Sequence, residues 1–340
     1  MLSCCTSKPV ALANGCETLL SKCEIPIIDL AHVGTERCPQ KGVVKQVATK
    51  LAEALSEKGL ALLVNHGIPD CKLKAVYRAM DEFCELPEEA RLKYERTAPS
   101  NHGYVKPGVE RMTKEEEEEA RHLFNATGSG GPMPDEEVPG FGSAVKELSR
   151  DFKQLTTMLL TALAVGLDKT PDFFLSKHSK ILEPGNESTL RLLYYPALGA
   201  PEPGDTRCDA HCDYSTFTLI AQDCEGGFEV QSPRSERWVR VGHLPGAILV
   251  NSGDLLSCWT TGVLPALRHR VVPLAPRCRR HSIAFYVRPD DDVAIEPFAF
   301  DVKLPGSQEQ SAPCRLQKKK KGVLTAYHHL QRRFRETYAS

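Results

Sequence analysis

Asp209-Ala-His-Cys-Asp-Tyr-Ser-Thr-Phe-Thr-Leu219 decides how this chain is read. It sets two metal-ligand side chains, His211 and Asp213, two residues apart where the sequence turns β-like at Tyr214. Successive strand side chains alternate faces, so the two point the same way. Two later runs carry polar side chains in the same manner. In Arg268-His-Arg-Val-Val-Pro273 the two arginines face away from His269, and in Arg280-His-Ser-Ile-Ala-Phe-Tyr-Val287 Arg280 and Ser282 share a face, with Arg279 and His281 turned outward. Two imidazoles and a carboxylate can hold one face of a ferrous ion and leave its other positions open. An Arg-x-Ser pair offers a fork and a hydroxyl to a carboxylate some way from the metal. That combination points to an oxygen-activating enzyme rather than a structural metal protein. Strands so distant in sequence converge inside a barrel or jelly roll.

Working outward, Val43–Leu60 repeats apolar residues at 43, 47, 51 and 55, one stripe of a helix, and Ala61-Leu-Leu-Val64 reads as a strand entering a turn at Asn65-His-Gly. Leu73, Val76, Tyr77, Met80 and Phe83 mark a second amphipathic helix that stops near Pro87. The Gly-, Pro- and charge-rich stretch Pro99–Gly142 reads as long connections, and Val145–Leu167 as a long helix. From Leu190 to Val287 short β-like runs alternate with Gly/Pro turns, as in an antiparallel barrel, and Leu324–Tyr338 is expected to be a terminal helix. Met1–Glu24 is expected to be a mobile leader, and no internal repeat is visible.

Composition narrows the classes. The 340 residues, 41% hydrophobic, suffice for one large β core with helical additions. A net charge of −1 argues against electrostatic nucleic-acid binding, and no apolar stretch approaches a membrane span. The first eight residues lack an apolar signal core, and the thirteen cysteines are scattered and odd in number, so reduced thiols in a cytoplasmic enzyme are expected.

Ile25-Pro-Ile-Ile-Asp-Leu30, Gly59-Leu-Ala-Leu-Leu-Val-Asn-His-Gly-Ile68, Leu190-Arg-Leu-Leu-Tyr-Tyr-Pro196, Ala210-His-Cys-Asp-Tyr214 and Gly226-Gly-Phe-Glu-Val230 occur in this order. They are followed by Asn251-Ser-Gly-Asp-Leu255, Trp259-Thr-Thr-Gly262, His269-Arg-Val271 and Arg280-His-Ser282. By this ordered set the chain resembles the isopenicillin N synthase-like family of Fe(II)- and 2-oxoglutarate-dependent dioxygenases, from about Ile25 to the C-terminus. The resemblance implies a mainly β fold with α additions: a double-stranded β-helix (jelly-roll) core flanked by helices. It divides the chain into an amino-terminal mixed α/β region, 24–142, and a part containing the long helix, the jelly-roll core and the terminal helix, 143–340.

It further implies iron(II) on His211, Asp213 and His269, and 2-oxoglutarate held at its distal carboxylate by Arg280 and Ser282, with Tyr195 assisting. Ascorbate is left open as an accessory reductant. Neutral His211 and His269 with anionic Asp213 leave the iron formally at +1; the cosubstrate dianion takes the sum to −1, and Arg280 restores neutrality, which matters where an unpaired charge is costly. The implied reaction is hydroxylation, desaturation or cyclisation of a small organic metabolite with O2, releasing succinate and CO2, by a monomer without nucleic-acid or membrane partners. Two other readings stay open: an iron oxidase of the isopenicillin N synthase type that does not use 2-oxoglutarate, and a non-catalytic metal-binding barrel.

Two positions depart from the family. Cys212 stands where a small hydroxylated residue is commoner and, with Cys208 and His211, raises a zinc site, although on a strand it faces away from His211 and no cysteine pair has finger spacing. Leu193 replaces an asparagine that many plant members place beside the cosubstrate, which is expected to alter cosubstrate orientation more than iron binding. His66 reads as structural. His102, His122, His243, His281, His328 and His329 default to surface or packing roles, and Tyr104, Phe124, Phe217 and Phe285 are open between apolar pocket lining and core packing. Glu115–Glu119 reads as a solvated helix face and Lys318–Lys321 as a solvated loop.

Overall fold

The computed structural model describes residues 25–33, 41–110, 120–197, 199, 205–274, 278–299, 302–305 and 324–337. The leader Met1–Glu24, the Glu115–Glu119 run and the Lys318–Lys321 run lie outside the described residues.

Two sheets make the core. The larger runs, in spatial order, β1 (Ile27–Asp29), β2 (Leu60–Val64), β10 (Ile248–Ser252), β7 (Phe217–Gln222), β12 (Arg280–Val287), β5 (Thr189–Tyr195), β4 (His122–Thr127) and β3 (Gly103–Val105). The smaller runs β6 (Cys208–His211), β11 (His269–Val271), β8 (Phe228–Gln231) and β9 (Trp238–Arg240). Apart from the parallel pair β1–β2, neighbours in both sheets are antiparallel. The two sheets close on each other as a jelly roll, and the expected fold class holds.

Strand alternation gives the larger sheet two different faces. Leu193, Tyr195, Ile220, Leu249 and Ala284 point inward and pack with Cys208, Phe228, Val230 and Val271 of the smaller sheet. Leu190, Leu192, Leu219, Ile248, Ile283, Phe285 and Val287 point the other way, under a layer of helices. That layer is α1 (Lys41–Lys58), α2 (Asp70–Glu85) and α4 (Phe141–Gly166), and the short α3 (Glu88–Leu92) follows α2. Each of the three long helices buries one stripe: Val47, Leu51 and Leu55; Leu73, Val76, Met80 and Phe83; Val145, Leu148, Phe152, Leu155, Leu159 and Leu163. Each such large apolar side chain contributes about 1.5–3 kcal/mol by burial. The crossing of α1 and α4 is close enough that a Cβ on Gly166 would lie 2.4 Å from the Ala48 carbonyl oxygen.

The structure corrects one expectation and decides another. Pro99–Gly142 is not connection throughout, since it supplies β3 and β4 as well as the first two residues of α4. Its strand pattern, His122-Leu-Phe-Asn-Ala-Thr127, is short and set among charged and Gly/Pro-rich residues, which masks the period of two. Tyr104, Phe124, Phe217 and Phe285 do not line a pocket either. All four belong to the core between the larger sheet and the helices, where Phe83 meets Tyr104 and Phe124 edge-on at 5.2 and 5.7 Å.

Among the described residues no helix is long and apolar enough to cross a membrane. Cys71, Cys84, Cys208, Cys212, Cys224 and Cys278 are free thiols. Cys258 is disulfide-bonded, so uniformly reduced cysteine does not hold at that position.

Candidate active site

His211 closes β6 and His269 opens β11, and the two residues are register partners across the smaller sheet. Their rings lie 4.4 Å apart, centroid to centroid. Each Nδ1 is tied to a carbonyl two residues back in the chain, His211 to Asp209 at 2.7 Å and His269 to Leu267 at 3.1 Å. With Nδ1–H donating there, Nε2 keeps its lone pair for a metal. Burial, then the neighbouring His269, pushes His211 down to about 4, so it is neutral near pH 7.

Asp213 lies two residues beyond the end of β6, so strand alternation does not aim it. The aim comes from the corner between β10 and α5 (Asp254–Trp259): the Asn251 amide donates to Asp213 Oδ2 at 3.0 Å, and Asp254 N–H donates to the Asp213 carbonyl at 2.9 Å. Oδ1 then faces both imidazoles, 3.7 Å from His211 Nε2 and 3.6 Å from His269 Nε2. Burial pushes the Asp213 carboxyl up, but the two imidazoles and the hydrogen bonds from Asn251 and Thr218 outweigh it and hold the group below its ordinary value. One ligand atom from each of the three side chains fits within 4.8 Å of the others, and no cysteine joins that group among the described residues. Two nitrogens and one carboxylate oxygen suit ferrous iron with positions left for exogenous ligands.

Zinc has no support from Cys212. Its thiol donates to the Ala266 carbonyl at 3.8 Å, and burial pushes it up to about 12, far from the thiolate a metal takes.

The opposite wall is the inward face of the larger sheet. Arg280, 3% exposed, donates from Nε to the Gly226 carbonyl at 2.7 Å, from Nη1 to Ser282 Oγ at 3.1 Å and from Nη2 to Gln222 Oε1 at 3.2 Å. Its guanidinium lies 4.9 Å from the ring centroid of Tyr195, its register partner on β5. Gly227 shapes this corner: at φ 84° a Cβ would sit 2.3 Å from the Val272 carbonyl oxygen. No carboxylate lies in salt-bridge reach of Arg280 among the described residues, so a buried guanidinium is solvated by neutral oxygens alone and is suited to an incoming anion. Leu193 is the register partner of Ser282, which puts the departure from asparagine directly beside the clamp.

Reading the sequence missed several residues here. Asn251, quoted only as part of a motif, orients Asp213, and Gln222 orients Arg280. Arg191 and Arg288 also reach the site: both line one cleft with His211 and Asp213, and Tyr214, Tyr286 and Phe334 lie around it. An arginine inside the apolar run Leu190-Arg-Leu-Leu was the available signal, since a charge in a buried strand is rare without a task. His66 is structural as expected, its ring joining the Gly246 carbonyl at 2.9 Å to the Ile68 N–H at 3.1 Å.

A jelly roll with this donor set defines the class of mononuclear non-haem iron oxygenases. Two family models match the chain: the 2OG-Fe(II) oxygenase superfamily over residues 186–289, and the N-terminal region of non-haem dioxygenases in morphine synthesis over residues 25–135. A homoarginine-6-hydroxylase of Oryza sativa is 31% identical over 274 residues, covering 75% of this chain and 81% of that protein. A 2-oxoglutarate-dependent dioxygenase of a Dothideomycetidae species is 29% identical over 294 residues, covering 74% and 82%. Among solved structures, a full-length Neurospora crassa protein in complex with alpha-KG superposes with a TM-score of 0.75 at 26% identity, over 91% of this chain and 95% of that one. The chain belongs to the 2OG-Fe(II) oxygenase superfamily and is a non-haem iron, 2-oxoglutarate-dependent dioxygenase.

Proposed function

We propose that His211, Asp213 and His269 ligate the iron, that Arg280 and Ser282 hold the distal carboxylate of 2-oxoglutarate with Tyr195 assisting, and that the enzyme oxidises a small organic metabolite. The observation that carries this reading is the pairing of a three-donor cluster on one sheet with a buried guanidinium lacking a carboxylate partner, among the described residues, on the other. Bound iron(II) supplies oxygen activation coupled to decarboxylation of the cosubstrate to succinate and CO2.

The chain's own residues set the conditions. Asp209 and Leu267 carbonyls fix both imidazole tautomers, and Asn251 fixes the carboxylate. Arg280 and Ser282 orient the cosubstrate by its far end, so its keto-acid end is directed at the donor cluster. The aromatic rings of Tyr214, Tyr286 and Phe334 flank the cleft beside His211 and Asp213 and limit water there. A cytoplasmic monomer without nucleic-acid or membrane partners completes the proposal. The net charge of −1 and the six free thiols among the described residues support it, while the Cys258 disulfide speaks the other way on compartment.

Oxygen consumption and succinate formation measured together test this function. Both are expected to require 2-oxoglutarate and iron(II) strictly. Oxygen consumption without 2-oxoglutarate would move the enzyme to the oxidase type, and neither activity with any member of a broad metabolite panel would favour a binding barrel.

A further inference from the structure

Arg280 opens β12 and Arg288 stands just past its other end, on the same inward face and eight residues away, which along a strand is about 26 Å between Cα atoms. One five-carbon diacid cannot serve both. Arg280 is accounted for by the cosubstrate, and Arg191 is paired with Glu110, whose carboxylate oxygens lie 2.9 Å from its Nη1 and which it shares with Arg121 at 3.1 Å. Arg288 has no such direct contact: Glu187 and Asp213, the carboxylates whose charge acts on it, lie beyond salt-bridge distance.

Its Nε donates to the Tyr214 carbonyl at 3.4 Å, and its Nη1 to the Glu187 carbonyl and, at 3.2 Å, to Thr189 Oγ1. These three acceptors are neutral, and they anchor one side of the guanidinium. Among the described residues no carboxylate lies within salt-bridge distance of it and Nη2 has no hydrogen bond, while the side chain lines the cavity that holds His211 and Asp213. Arg288 is 6% exposed, so water compensates its charge poorly. Arginine does not escape that penalty by losing its proton. The Tyr286 ring lies 5.3 Å from the guanidinium, and Phe334, from α6 (Ala326–Thr337), lies 5.9 Å from it, so the surroundings of the charge are aromatic.

We propose that Arg288 recognises a carboxylate of the prime substrate, and hence that the enzyme acts on small organic acids. The proposal rests on the function above, since it takes the His211–Asp213 end of the cavity as the reacting end. The acid's apolar body lies along Tyr286 and Phe334, and its charge pairs with Nη2. The one free nitrogen, Nη2, matches one carboxylate oxygen and its single charge, and Glu110 and Asp213 on the same cavity disfavour a dianion such as phosphate.

The test is calorimetric titration of the full chain, loaded without oxygen with iron(II) and saturating 2-oxoglutarate so that the cosubstrate site is already filled. The probes are matched acids and primary amides: 3-phenylpropionate with 3-phenylpropanamide, hexanoate with hexanamide, and cyclohexanecarboxylate with its amide. At least one acid is expected to bind roughly ten- to a hundredfold more tightly than its amide. Arg288→Gln is expected to erase that preference with 2-oxoglutarate affinity retained, whereas Arg288→Lys, which keeps the charge but loses the anchoring bonds of Nε and Nη1, should retain part of it. Should Arg288→Gln fail to fold, the wild-type acid–amide ratios and Arg288→Lys decide. Equal binding within every pair, binding of no acid, or an undiminished preference in Arg288→Gln overturns the proposal. Loss of 2-oxoglutarate binding in the wild-type chain would instead overturn the function on which it rests.

Discussion

The smaller sheet and the larger one divide the work of this site. The smaller sheet offers neutral imidazoles whose geometry is set by backbone carbonyls, with a carboxylate aimed by the β10–α5 corner. The larger sheet offers fixed positive charge, Arg280 at one end of β12 and Arg288 just past the other, braced from behind by α1, α2 and α4. A metal needs donors held to within tenths of an ångström, which short hydrogen bonds to rigid backbone provide. An organic anion needs a buried cation with spare donors, which a helix-backed strand can hold in an otherwise apolar wall. Changes at the donor cluster and its Asn251 brace should therefore damage metal binding, and changes along β12 should damage anion binding.

The largest effect is expected from Asp213→Ala, which removes the only anionic donor. Turnover should fall by more than about a hundredfold, with iron(II) affinity lost in equilibrium dialysis. Near-normal turnover would break the assignment of the smaller sheet to the metal. Asn251→Ala comes next: iron(II) should bind roughly 10–100-fold more weakly through misorientation of Asp213. If the comparison is right, the loss does not extend to the charge-clamp end of β12. Arg280→Lys tests the other side, since loss of the fork is expected to raise the 2-oxoglutarate requirement by about tenfold while iron(II) affinity persists. A smaller, few-fold change in apparent 2-oxoglutarate affinity is expected for Leu193→Asn, with iron binding untouched; no change at all would count against Leu193 as a neighbour of the cosubstrate.

The smallest effect concerns the outer face of β12. His281 Nε2 lies 2.8 Å from Asp81 Oδ1 on α2, and His281 Nδ1 lies 3.3 Å from Asp223 Oδ2. Burial pushes the imidazole down, but the two carboxylates outweigh it and raise it above its ordinary value. A raised value in the folded state means that this stabilisation is fully present below about pH 6.5 and fades as pH rises through the folded value. The Tm of the wild-type chain should therefore decline from pH 6 to pH 9 more than that of His281→Gln. Parallel profiles would show that the imidazole is not charged in the fold.

Much of this was legible because the signals were short-range and periodic. His-x-Asp, the lone His269 and Arg-x-Ser each lie within three residues, and β12 keeps its alternation well enough for Arg280 and Ser282 to meet at 3.1 Å. The aim of Asp213 was attributed to alternation, but β6 ends at His211 and the corner at Asn251 does the aiming, a contact across 38 residues that periodicity does not encode. The choice between pocket lining and core packing for the four aromatic residues, which the structure decides for packing, was not legible for a related reason. Alternation separates the two faces of a strand without saying which lies under helices and which faces the other sheet. Arg191 and Arg288 stood in plain view as charges in or beside apolar strands, but what they face depends on β3, β4 and α6, which assemble from both halves of the chain.

The most direct test of the central claim is anaerobic titration of the iron(II)-loaded chain with 2-oxoglutarate, followed by visible absorption. Growth of the weak band of an iron–keto-acid chelate, saturating at one equivalent, is expected for the wild-type chain and should be absent in Asp213→Ala. No band in the wild type, or an equal band in Asp213→Ala, would contradict the account.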